Sequence, residues 1–188
     1  MCLAFPLITR SGKLRRAMAS VLFLDFDGCL HPDNVHRVDG APVLLTEGNE
    51  LFEHVQLLVD ALEPYPSLQI VLSTRWVPVF GFDESVARLP ASLRSRVAGT
   101  IHEFCNDRWE WAELSRFDQV MRYVDGKGIE SWLALDDDNH AWPESYEKRL
   151  VCPKPRLGVG ELRIQQELAN KLRWLHEEAQ QGRQLNEA

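Results

Sequence analysis

The sequence predicts an α/β domain with a mainly parallel sheet flanked by helices. Two patterns carry that expectation. Short, mostly apolar runs over residues 21–24, 68–72 and 131–135 read as strands buried on both faces. Between them stand segments whose apolar residues recur at helical spacing, and such alternation makes a parallel sheet. The chain has 188 residues, enough for one domain with its own core. No internal repeat, low-complexity tract or linker divides it.

Each element follows in turn. After the first strand comes HPDNVHRVDGAP, whose Pro, Asn, Asp and Gly predict a polar loop. Thr46 followed by Glu47 and Glu50 predicts a helix start. Leu51, Phe52, Val55, Leu58, Val59 and Leu62 carry that helix until Pro64 and Pro66 stop it. The strand over 68–72 ends in Ser73-Thr74-Arg75-Trp76. A short helix over 84–89 and a strand over 97–101 follow. A helix begins near Trp111, with Leu114, Phe117, Val120, Met121 and Val124 on its inner face, and is closed by Gly126 and Gly128. The strand over 131–135 ends in Asp136-Asp137-Asp138. Residues 149–152 predict an edge strand, stopped by Pro153 and Pro155. A long amphipathic helix covers 161 to about 180. The single domain thus spans 19–182, with 183–188 as a frayed tail. Residues 1–18 leave two readings open: a disordered basic lead-in, or an extension ahead of a true start at Met18. The basic residues there follow the apolar part, the wrong order for a secretory signal.

Composition narrows the function classes. The net charge of −7 disfavours broad binding to nucleic acid or anionic membrane, while leaving room for a local basic groove. No apolar run approaches the roughly 20 residues needed to cross a bilayer. The four cysteines, Cys2, Cys29, Cys105 and Cys152, match no zinc spacing and read as free thiols of a reducing, cytoplasmic setting. Cys29 reads as a packing residue.

The chemistry concentrates at strand ends. Asp25 and Asp27 close the first strand, two carboxylates that are costly in an apolar setting unless something pairs with them. Alternate strand residues share a face, so the two are expected to converge on a hard divalent cation, Mg²⁺ by its preference for carboxylate and phosphate oxygens. Gly28 then lets the backbone turn away. Ser73 and Thr74 end the second strand, and Asp136 and Asp137 a later one. In open α/β sheets, ligands bind beyond the carboxyl ends of the strands, so one rim gathers all these groups.

These motifs, LDFDGCL, IVLSTRW and WLALDDD, resemble in order those of the haloacid dehalogenase (HAD) superfamily of aspartate-nucleophile phosphohydrolases. More narrowly, STRW, VAGTI and ALDDD resemble the HAD domains of RNA-repair proteins of the Swiss Army Knife type. The resemblance implies a Rossmann-like HAD fold and a Mg²⁺-dependent phosphatase. It implies Asp25 as nucleophile, Asp27 as general acid and base, and Ser73 as a phosphoryl hydrogen-bond donor. The third family motif, a Lys or Arg, falls on Arg116, with Lys127 as the alternative. The implied metal set is Asp25, the Asp27 main-chain carbonyl, and Asp136 or Asp137, with Asp137 favoured. Gly28 is expected near the substrate; Thr74 either assists Ser73 there or caps the following turn, and Arg75 either contacts substrate or forms an exposed ion pair. The gaps between motifs leave no room for a large cap domain. An open site suits a phosphorylated small molecule or a macromolecular end, and no membrane partner is expected.

Other readings are weaker. DFDGCLHPDN lacks the sixth-position Gly and twelfth-position Glu of a calcium loop. The histidines form no ligand cluster, though His31 and His140 follow motifs closely. Trp76 and Trp142 stand where they can wall a pocket; Trp109 and Trp111 have the ring faces to stack on a base. A nucleic-acid end-processing phosphatase and a non-catalytic phosphate-binding domain remain as alternative functions.

Overall fold

A computed structural model describes residues 20–187. The expectations for residues 1–18 therefore lie outside the described residues. Five strands form one parallel sheet in the order β5-β4-β1-β6-β7: β1 (Val21–Leu24), β4 (Gln69–Leu72), β5 (Val97–Thr100), β6 (Trp132–Leu135) and β7 (Leu150–Val151). Strands β2 (Val35–Val38) and β3 (Ala41–Leu44) make a separate antiparallel hairpin. The architecture is the expected α/β sheet flanked by helices, and no large cap domain interrupts it among the described residues.

Strand alternation divides the core into two layers. Leu22 and Leu24 face a layer built with Leu58 and Leu62 of α1 (Val55–Leu62) and Leu168 and Leu172 of α7 (Leu162–Glu187). Trp76 of α2 (Trp76–Phe80) and Leu93 of α4 (Ala91–Arg94) belong to the same layer, and α3 (Phe82–Ala87) joins those two helices. Val21 and Phe23 face the opposite layer, with Trp111 of α5 (Arg108–Glu113) and Val120, Tyr123 and Val124 of α6 (Arg116–Lys127). The chain runs outward from β1 to β4 and β5, then returns across to β6 and β7. That reversal opens a crevice at the carboxyl ends of β1 and β6, the usual ligand site of such sheets.

Five expectations need correction. The polar loop after β1 holds the β2–β3 hairpin, turned at Asp39-Gly40 with φ of 50° and 85°. Two successive positive φ values match the twist of a two-residue hairpin, and Asp-Gly is a preferred pair for it. The first helix begins at Val55, not near Thr46, because Phe52 adopts a φ of 61° and the His54 N–H donates to the Leu30 carbonyl at 3.0 Å. Residues 76–80, where the sequence predicts no element, form α2; Pro78 is tolerated because it lies in the first turn. The helix near Trp111 is two helices. Leu114 leaves the helical region with ψ 141°, and Ser115 caps α6 by accepting from the Asp118 N–H at 3.1 Å. The last helix continues past Gly182 to Glu187, since an isolated glycine weakens a helix without ending it.

The Ser115 cap decides where Arg116, the first residue of α6, emerges. Ser115→Ala should lower stability by about 1 kcal/mol, read as a shift in the urea unfolding midpoint.

Candidate active site

Sheet register builds the site. Leu24 pairs with Leu72 on one side and Leu135 on the other. Asp25, Ser73 and Asp136 each follow one of these residues, so all three emerge side by side. The backbone ladder still holds them there: the Asp25 N–H donates to Leu135 at 3.0 Å, Ser73 to Leu24 at 2.9 Å and Asp136 to Val151 at 3.1 Å.

Arg116 reaches into this row from α6. Its Nη2 donates to Asp25 Oδ2 at 3.2 Å, and its Nε lies 2.9 Å from Asp136 Oδ2. The second contact is an ion pair without hydrogen-bond alignment, and both atoms lack another hydrogen-bond partner. Gln119 accepts from Arg116 Nη1 at 3.1 Å and steadies the guanidinium. Lys127, the alternative cation, lies elsewhere, paired with Glu103 at 2.9 Å beside Phe104 and Tyr123.

Asp25, Asp136 and Asp137 bring ligand oxygens within 4.8 Å of one another. Gly28 permits this approach. It holds a φ of 67°, and a Cβ there would stand 2.1 Å from Asp137 Oδ2. Burial raises the pKa of Asp25, opposed by Arg116 and the Phe26 N–H. Burial, then the Asp25 charge, pushes Asp136 well above the usual carboxylate range. Burial, then Asp25 and Asp33, pushes Asp137 up to about 7. Burial alone would lower Arg116, but Asp136 and Asp25 outweigh it and keep the guanidinium charged. One guanidinium thus faces three carboxylates that resist joint ionisation. The Ser73 hydroxyl is wholly buried beside them without a hydrogen-bond partner. A set of oxygen donors short of positive charge, with an unfilled hydroxyl next to it, fits a hard divalent cation and a phosphoryl group.

The Asp27 carboxylate is not part of this cluster. The chain leaves the strand at Phe26, and Asp27 Oδ1 accepts from Trp76 Nε1 at 2.8 Å and meets His31 Nε2 at 3.0 Å. His31 is fully buried and packed against the rings of Phe52 and Trp76. Sequence reasoning left the His31 and Trp76 contacts with Asp27 unread. Their only trace was position, His31 four residues beyond Asp27 and Trp76 just past the Ser-Thr motif.

The remaining candidates divide. Thr74 is buried; its hydroxyl accepts from the Trp76 N–H at 3.2 Å and also lowers the Asp25 pKa by hydrogen bonding. Arg75 is exposed and lines the cleft. Asp138 Oδ1 accepts from the His140 N–H at 2.8 Å. Trp142 packs on Phe117 and Trp132, Trp111 lies in the core, and Trp109 is exposed. Cys29 is buried, and burial pushes its thiol up. Above the carboxylates opens a cleft of about 560 Å³, walled by the β2–β3 hairpin and α2.

An α/β sheet with an aspartate row, a buried arginine and a Ser-Thr pair at its carboxyl rim defines a HAD-type hydrolase architecture. The chain matches the family described as the HAD domain in Swiss Army Knife RNA repair proteins over residues 21–163, and belongs to that family. No curated protein and no solved structure matches it. Among the described residues no helix is long and apolar enough to cross a membrane.

Gly28→Ala should cost roughly 1–3 kcal/mol of stability by strain at positive φ. It should also weaken Mg²⁺ binding roughly tenfold or more by displacing Asp137; calorimetric titration with Mg²⁺ checks the second effect.

Proposed function

We propose that the protein is a Mg²⁺-dependent phosphatase that works through an aspartyl-phosphate on Asp25. The observation that carries this reading is the buried Asp25–Arg116–Asp136 row beneath an open cleft. Asp25, Asp136 and Asp137 would hold Mg²⁺, whose charge offsets repulsion between the carboxylate nucleophile and the anionic substrate.

Asp25 attacks phosphorus, and the bond from phosphorus to the leaving oxygen breaks. Asp27 gives that oxygen its proton, so an alcohol departs and Asp25 carries the phosphoryl group. Asp27, now ionised, takes a proton from water. The resulting hydroxide attacks phosphorus, inorganic phosphate leaves, and Asp25 and protonated Asp27 are restored. Arg116 neutralises charge on the transferring group, and the Ser73 hydroxyl donates to one of its oxygens. Trp76 and His31 both engage Asp27 Oδ1, which leaves Oδ2 for the travelling proton. We place this activity in the cytoplasm on the free thiols of Cys29, Cys105 and Cys152.

The family's description supports a second reading, an end-processing phosphatase for nucleic acid. The net charge of −7 weighs against it. That reading requires an oligonucleotide affinity that falls steeply with salt.

Hydrolysis of p-nitrophenyl phosphate should need Mg²⁺, stop on addition of EDTA, and vanish in Asp25→Asn. Near-normal turnover in that variant would sink the nucleophile assignment. Trp76→Phe keeps the ring but removes the N–H donated to Asp27. It should lower kcat roughly tenfold, the worth of one hydrogen bond to a charged group, with KM little changed.

A further inference from the structure

The cleft is larger than its floor requires. At about 560 Å³ it falls within the roughly 300–1,000 Å³ of sites that enclose whole small molecules. A lone phosphoryl group at Asp25 would leave most of it unfilled. Its charge is also divided. The lining carries the carboxylates of Asp25, Asp27, Asp33, Asp137 and Asp138 with Arg116 among them, and two further arginines, Arg37 from the β2–β3 hairpin and Arg75 from the start of α2. Both arginines are exposed, and among the described residues neither forms an ion pair. The Arg37 guanidinium stands 5.9 Å from the Phe80 ring centroid, tying the hairpin to α2. Val79 and Phe80 give the same wall an apolar surface.

Arginine presents a planar fork that matches phosphate oxygens, and it keeps its charge at any working pH. We propose that Arg37 and Arg75 form a leaving-group subsite for a second phosphate. The substrate is then a bisphosphate whose planar or apolar body rests on Val79 and Phe80. This rests on the phosphatase reading, since the first phosphate must sit at Asp25.

The test compares kcat/KM for adenosine 3′,5′-bisphosphate, the two adenosine monophosphates, fructose 1,6-bisphosphate and p-nitrophenyl phosphate, all with Mg²⁺. The nucleotide bisphosphate should exceed the better monophosphate by about tenfold, roughly one charge-assisted hydrogen bond. In an Arg37→Ala/Arg75→Ala variant that preference should fall below about threefold. Equal use of mono- and bisphosphates, or a preference that survives the double substitution, overturns the subsite. Equal use of the sugar and nucleotide bisphosphates overturns the role given to the apolar wall. Failure to hydrolyse any of the five overturns the phosphatase reading instead. Calorimetry then decides the subsite by itself: tighter binding of adenosine 3′,5′-bisphosphate than of the monophosphates, lost in the double variant, supports it, and equal binding overturns it.

Discussion

Three carboxylates converge on one point, two of them paired with the single guanidinium of Arg116, and much of this structure serves to hold them there. Like charges at such separations resist joint ionisation, and burial raises the cost further. Arg116 meets only part of that cost, because its Nε faces Asp136 without hydrogen-bond alignment. The arrangement persists because the backbone leaves it no alternative. Asp25 and Asp136 are held in parallel ladders on both sides, and Gly28 opens the one space into which Asp137 fits. A fold that keeps such a cluster stores free energy that ligands bound to it can recover. The same logic covers Ser73, whose buried hydroxyl lacks the partner that a phosphoryl oxygen would supply.

The sheet was legible because its signals are strong and local. Strands β1, β4 and β6 are buried without interruption or nearly so, and each ends at a polar residue that no buried strand would continue through. Once those ends are aligned by register, the aspartates and Ser73 need no further information to become neighbours. Arg116 was legible through the family resemblance and its place early in a helix expected from near Trp111, whereas the break at Leu114 and the Ser115 cap that make it the first residue of α6 were not.

What stayed hidden depends on contacts between distant residues. The hairpin was concealed because its strands are four residues long and mostly exposed, so periodicity had little to report. In the sequence Asp39-Gly40 signals only a polar loop, although the same pair is what turns β2 into β3. The late start of α1 follows from Phe52, which gives up helical geometry to pack its ring on Phe26, His31 and Trp76. No local pattern announces that exchange. Nor does one announce the hydrogen bond from Trp76 to Asp27, which joins residues 49 positions apart.

That aromatic cluster explains how two aspartates two residues apart come to have different surroundings. Strand alternation alone would aim both carboxylates at one point. The turn at Phe26 and Gly28 breaks the alternation, so Asp25 joins the row with Arg116 while Asp27 swings toward Trp76 and His31. Asp25 sits among anions that a cation must balance, an environment that suits the nucleophile of the proposed mechanism. Asp27 sits between two nitrogen groups on an aromatic wall, with one oxygen engaged and the other free. Divergent environments for paired carboxylates are how one site runs nucleophilic and acid–base steps together. The short step from Asp25 to Asp27 therefore matters less than the packing of Phe52 and Trp76, which makes the two positions unlike.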